Sequence, residues 1–150
     1  IEEGYENWAK AIKEVEDIGV KVLVENTAGG KNSVARYMDS IERLWEVIGH
    51  LNVGLCLDTC HTWAGGIPTI DAVKGFKKLV KKIDLIHFND SKDGFESSRD
   101  RHENLGKGKI PKEELEYVIK NAKTDIIVET PNGPDAQKKD IAWIRRRLKK

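Results

Sequence analysis

Apolar residues recur along the chain in two alternating rhythms. Tyr5, Trp8, Ile12, Val15 and Ile18 stand three or four residues apart, the spacing of one helix face, and Gly19 follows as a residue that ends such a helix. Val20 to Val24 is short, β-branched and apolar, as a strand covered on both faces reads, and it ends in Glu25. The pattern then repeats. After a loop at Gly29-Gly30, Val34, Tyr37, Met38, Ile41, Leu44, Trp45 and Ile48 form a helical stripe. Val53 to Leu57 forms the next strand, ending in Asp58. A third helix is expected from Thr69, read as its N-cap, through Val73, Phe76, Leu79, Val80 and Ile83. The strand Asp84 to Ile86 follows and ends in His87. A polar loop runs from Asn89 to Lys109. Pro111 then opens a helix carrying Leu115, Val118 and Ile119. The strand Asp125 to Val128 ends in Glu129, and a last helix opens at Pro134 and carries Ile141, Ile144 and Leu148.

Helix and strand alternating at roughly 30-residue spacing predicts an α/β fold of parallel strands joined by crossover helices. At 150 residues the chain reads as one domain, 1–150, with no composition shift inside it. A chain of that length buries roughly 70% of its unfolded surface, enough for a core without staples. Hydrophobic residues at 39% and charged ones at 34% exclude low-complexity disorder. The net charge of +1 excludes a broadly basic polyanion binder and leaves local basic patches open. The lysines from Lys77 to Lys82 and the cluster Arg145 to Lys150 are expected to be solvated helix faces and tail. No apolar run approaches the length of a bilayer span, so no membrane partner is expected. Cys56 and Cys60 make no disulfide framework and suit a reducing, cytoplasmic setting. The chain opens on Ile1, its only Met is Met38, and it is expected to be a piece of something longer.

The candidate chemistry lies at the strand ends. Glu25, Asp58, His87 and Glu129 each close a strand, and parallel α/β sheets bind ligands at that end. Three carboxylates brought together would repel one another, and a divalent cation removes that penalty. A polar residue where a strand meets water explains any one of them, but four in succession favour a metal. His61 follows Asp58 by three residues, and Asp100 and His102 lie in the long loop. A His-Asp-His set suits zinc. The loop itself reads equally well as functional or as mobile. His50 stands alone after a helix and is expected at the surface. Cys56 is expected to be a buried strand residue, and nothing requires Cys60 at a metal.

Five stretches, in order, resemble the carboxyl-terminal half of endonuclease IV, the zinc-dependent apurinic/apyrimidinic endonuclease family. They are Val24-Glu25-Asn26-Thr27-Ala28-Gly29, Cys56-Leu57-Asp58-Thr59-Cys60-His61, His87-Phe88-Asn89-Asp90-Ser91-Lys92, Asp100 to Gly108, and Glu129-Thr130-Pro131. The resemblance implies the last four strands, five to eight, of a TIM barrel. It also implies up to three zinc ions and cleavage of DNA on the 5′ side of abasic sites in base excision repair. It would make Glu25 the catalytic bridge between the first and second zinc ions. Asp58, His87 and Glu129 would complete the second, and His61, Asp100 and His102 would hold the third, so two sites are largely encoded here. Asn89 to Lys92 would continue into the substrate face. Arg99, Arg101 and Lys107 are expected, from charge and position, to meet DNA phosphates. Asn26 and Thr59 are expected to orient ligands.

The family's amino-terminal half, which would supply two histidines to the first zinc, has no counterpart in this sequence. Open strand edges invite either such a half-barrel or a second copy of the chain. Sugar isomerases and epimerases of the same barrel superfamily resemble the strand-end set with a single metal. His61 with Asp100 and His102 separates the nuclease from them. A non-catalytic metal-binding half-barrel is the third reading.

Overall fold

Two glutamates in its first turn, Glu2 and Glu3, and Lys13 in its last suit the dipole of helix α1, Glu2–Glu14. The computed structural model describes residues 1–149. Strand β1 spans Val22–Glu25, helix α2 Met38–Ile48 and strand β2 Val53–Asp58. A short helix α3, Thr59–Gly65, leaves directly from β2, and α4 covers Thr69–Val80. Strand β3 is Leu85–His87, β4 Asp90–Ser91 and β5 His102–Glu103. Helix α5 is Lys112–Ala122, strand β6 Asp125–Ile127 and helix α6 Gly133–Leu148.

β1, β2, β3 and β6 form one parallel sheet in that order, with Glu25 beside Cys56, Asp58 beside His87 and His87 beside Ile127. The sheet is open at β1 and at β6, half of a TIM-barrel wall. Because side chains alternate faces along a strand, one set of positions faces the helices. Val24, Leu55, Leu57 and Ile86 take those places and are all buried. Leu55, Leu57 and Ile86 pack with Phe76, Leu115, Val118 and Ile144 from α4, α5 and α6. Val24 packs with Tyr5, Ile12, Leu44 and Ile48 from α1 and α2. The alternate positions, Glu25, Asp58 and His87, therefore fall on the other face of the sheet.

Several expectations shift: Val34 and Tyr37 precede α2, and Ile83 lies beyond the end of α4. Val15, Ile18 and Val20 lie outside α1 and β1, and Ile18 and Val20 are exposed, because Gly19 at φ 81° turns the chain outside the sheet. Thr69 is not an N-cap: Pro68 holds that position. The Thr69 amide and hydroxyl instead donate to Glu114 Oε2 of α5, at 2.7 and 2.6 Å, so a neighbouring helix satisfies them. The helix α3 has no counterpart in the periodicity reading, since seven residues are too few to show a helical stripe.

The segment between β3 and α5 is folded rather than loose. β4 and β5 pair antiparallel within it. The buried Asp90 carboxylate accepts the amides of Ser91, Gly106, Gly108 and Ile110 at 2.8 to 3.1 Å. Burial pushes the Asp90 carboxyl up, and those four amides oppose the shift. A Cβ on Gly108 would collide with that carboxylate, which is why glycine stands there. Cys56 and Cys60 are both buried, with their thiols pushed up to about 12 by burial. His50 is exposed after α2, as expected.

Candidate metal centre

The carboxyl ends of the four parallel strands bring the expected residues together. Glu25, Asp58 and His87 are the last residues of β1, β2 and β3, and Glu129 lies two residues past β6. One ligand atom from each of the four lies within 4.8 Å of the others. His87 Nδ1 is 3.0 Å from Glu25 Oε1 and 3.1 Å from Glu129 Oε2. Asp58, His61 and His102 form a second such group, and Cys60, Asp100 and His102 another. His61 Nε2 and His102 Nε2 approach the same Asp100 oxygen at 3.0 and 3.2 Å, and His102 Nε2 lies 3.7 Å from Asp58 Oδ2. Glu25 Oε1 also reaches His61 Nδ1, at 3.4 Å, which links the two groups.

The residues fit zinc on an observation independent of ligand type. His61 Nε2 and His102 Nε2 are, among the described residues, the buried side-chain polar atoms with no hydrogen-bond partner. An orphaned buried polar atom is costly, so a pair of them facing one carboxylate calls for a missing partner. The 3.0 and 3.2 Å separating them from the Asp100 oxygen suit a cation: tetrahedral ligands at roughly 2.0–2.1 Å from zinc stand ~3.3 Å from one another. Their other nitrogens are already committed. His61 Nδ1 lies 2.8 Å from the Asn26 carbonyl and His102 Nδ1 3.2 Å from the Glu129 carbonyl. Donation to those carbonyls leaves each Nε2 as a lone pair, the tautomer a metal needs.

A layer of amides holds the carboxylates. Asn26 continues the sheet past β1: its side chain donates to the Asp58 carbonyl and accepts the Asp58 amide, at 3.1 and 2.8 Å. Asn89 does the same past β3. It donates to Asp58 Oδ2 at 2.7 Å and accepts the Glu129 amide at 2.8 Å, while Thr59 Oγ1 donates to its carbonyl at 2.6 Å. Asp58 Oδ1 accepts the His61 amide at 2.8 Å, which caps α3 and aims His61 into the site. Asn26 thus ties β1 to the Asp58 backbone, and Thr59 holds Asn89, which in turn reaches Asp58 and Glu129. Of the stretch Asn89 to Lys92, Asn89, Asp90 and Ser91 are fully buried and support the site from within, and Lys92 is exposed.

Of the three cations expected to meet phosphate, two are already paired. Arg101 Nε donates to Asp93 Oδ2 at 2.7 Å, and Arg99 lies 3.6 Å from the same carboxylate. Lys107 is exposed and has no ion pair among the described residues.

Burial pushes the Asp58 carboxyl up, and its nearness to His61 and His102 opposes that only in part. Burial alone would lower His61, but Asp58 and Asp100 outweigh it and the imidazolium is held up. Both folded-state values therefore lie above the unfolded ones. Each group contributes stability below its unfolded value, about 3.9 for Asp and 6.5 for His, and loses it as pH rises through its folded value. The metal-free protein is expected to melt at a lower temperature at about pH 8 than at about pH 5.5, with zinc raising the melting temperature most at the higher pH. Thermal melts in chelator and in zinc check this; a flat profile in chelator overturns it.

A family model described as xylose isomerase-like TIM barrel matches residues 1–147. "Probable endonuclease 4" of Mycobacterium tuberculosis (strain CDC 1551 / Oshkosh) is 47% identical over 147 residues, 98% of this chain and 57% of the relative. The protein of the same name from Mycobacterium marinum (strain ATCC BAA-535 / M) is 45% identical over 148 residues, 99% of this chain and 58% of that one. The chain thus spans somewhat more than half the length of these curated relatives. The crystal structure of endonuclease IV from Thermus thermophilus superposes with a TM-score of 0.79 at 30% identity, over 97% of this chain and 58% of that one. A D-tagatose 3-epimerase-like protein superposes at 0.69 and 18% identity, over 97% of this chain and 53% of that one, a likeness of fold alone. A parallel half-wall with its ionisable residues at the strand ends and a family match over residues 1–147 lead to one assignment: the chain belongs to the xylose isomerase-like TIM barrel family, and within it is similar to endonuclease IV.

Proposed function

We propose that this chain carries the zinc-binding half of a DNA repair endonuclease that cuts the backbone 5′ to abasic sites in base excision repair. The observation that carries the reading is the pair of orphaned nitrogens, His61 Nε2 and His102 Nε2, facing Asp100 beside the strand-end set. A single-metal isomerase or epimerase needs only the strand-end residues, and the second cluster has no use there. Similarity to "Probable endonuclease 4" at 45–47% identity supports the same branch.

Zinc, when bound, supplies Lewis acidity toward the phosphodiester and the attacking water. Glu25, close to both His87 and His61, would be the carboxylate shared by the two groups of ligands and the catalytic residue. Asp58, His87 and Glu129 would hold one ion with it, and His61, Asp100 and His102 would hold another. The Asn26 and Glu129 carbonyls fix the two imidazoles, and Asn89 keeps Asp58 from turning away. Lys107 offers a strand phosphate a charge that has no ion pair among the described residues, and Arg99 and Arg101, held on Asp93, are the other two candidates. The open edges at β1 and β6, with Ile127 48% exposed, are completed by an amino-terminal half-barrel or by a second copy.

The test is zinc per chain, by elemental mass spectrometry on desalted protein, followed by incision of an abasic duplex. About two ions are expected for the wild type, and about one for His102→Ala, which removes one ligand nitrogen. One or none in the wild type returns the chain to a single-metal isomerase-like or non-catalytic reading.

A further inference from the structure

His102 and Glu129 lie on segments of little regular structure: His102 opens the two-residue β5, and Glu129 follows the end of β6. Both segments converge on one side chain that the site reading leaves unused. Asp140, in the middle of α6, is buried at 3% exposure. Its Oδ2 accepts Asn104 Nδ2 at 2.7 Å and Thr130 Oγ1 at 2.6 Å, and its Oδ1 accepts the Leu105 amide at 3.0 Å. Asn104 and Leu105 follow His102 by two and three residues, and Thr130 follows Glu129 directly. Asn104 extends the tie, donating to the Pro131 carbonyl at 3.1 Å and accepting Asn132 Nδ2 at 2.7 Å. The two ligand segments then touch each other where His102 Nδ1 meets the Glu129 carbonyl.

Asp140 has no cation within ion-pair distance among the described residues. A buried carboxylate with three neutral donors and no counter-charge is an expensive way to pack a helix. An apolar residue would serve packing better, as Ile144 does one turn further along the same face. The carboxylate brings what an apolar residue cannot: acceptors for both segments at once, on a rigid helix.

We propose that Asp140 is a positioning residue for the metal centre, clamping the segments of His102 and Glu129 so that His102 Nε2 and the Glu129 carboxylate face their ions. The role rests on the metal reading above. Outer hydrogen-bond partners of metal ligands typically change metal affinity by about 10–100-fold.

Asp140→Asn keeps the shape but cannot keep the acceptors. Its amide nitrogen must face either the Leu105 amide or the Asn104 and Thr130 donors. Zinc affinity is read by competition with a chromophoric chelator, and metal-free stability by urea unfolding. Val118→Ala, a fully buried site on α5 that touches neither segment's hydrogen bonds, serves as the control for a general loss of stability. Zinc affinity about 10–100-fold weaker in Asp140→Asn, beyond any change in the control, is the expected result. Affinity unchanged, or weakened no more than in Val118→Ala, overturns the role. Should Asp140→Asn fail to fold, Thr130→Val removes one donor at constant shape. A measurable loss of affinity in it supports the clamp, and wild-type affinity overturns it. Wild-type protein that takes up no zinc removes the metal reading and the clamp together, whereas tight wild-type binding with an indifferent Asp140→Asn removes the clamp alone.

Discussion

Glu25→Gln is expected to abolish incision of abasic DNA and to leave the fold standing. The substitution keeps size and shape at the end of β1, where the side chain is only partly buried and packs into no core cluster. What it removes is the negative charge between His87 Nδ1 and His61 Nδ1, at 3.0 and 3.4 Å. A neutral amide is a poor bridge between cations. Charge stabilisation by a bound metal is worth several kcal/mol, so the loss of rate is about 10³-fold or more. Circular dichroism and the metal-free melting temperature should match the wild type, and zinc per chain should fall. Incision at the wild-type rate with Glu25→Gln would remove Glu25 from the chemistry.

The second large effect is on stability. Phe76→Ala is expected to lower the unfolding free energy by about 3–5 kcal/mol, as deletion of a buried aromatic side chain does. Phe76 is fully buried on α4 and shares one cluster with Leu55 and Leu57 of β2, Ile86 of β3 and Leu115 of α5. It therefore joins the helix layer to the middle of the sheet, where neither edge can relax into the gap. Total stability of about 5–15 kcal/mol makes this a large fraction. Urea unfolding of the metal-free protein measures it, and a loss below about 1 kcal/mol would mean that the site collapses around the smaller side chain.

The two effects separate the faces of one sheet. Val24, Leu57 and Ile86 face the helices, and Glu25, Asp58 and His87, one residue further along each strand, face the candidate metals. A slip of one residue in any strand would exchange a core residue for a ligand, so packing and chemistry hold the register together. The same alternation explains why stability and metal binding answer to different substitutions.

Several features were readable because they are local. Spacings of three and four residues marked α1, α2, α4 and α5, and short apolar runs marked β1, β2, β3 and β6 to within two residues. Ligand-type residues closing every parallel strand pointed to one end of the sheet. Asp58 followed three residues later by His61 was visible as a pair, though not as a capped helix. Asp140 left a fainter mark, an acidic residue one turn before the buried Ile144 in a helix otherwise rich in lysine and arginine. By itself the sequence determined the order and type of the four parallel strands and the longer helices, though not α3, β4 or β5, and the chemical kind of residue at each strand end, because those depend on neighbours within a turn or a strand. Tertiary structure alone decided that Asn89 turns inward onto Asp58 and Glu129, that Arg99 and Arg101 are taken up by Asp93, and that Asp140 gathers two ligand segments. Those bonds join residues up to 40 positions apart, and no periodicity along the chain records a hydrogen bond made only after the sheet and its helices have closed.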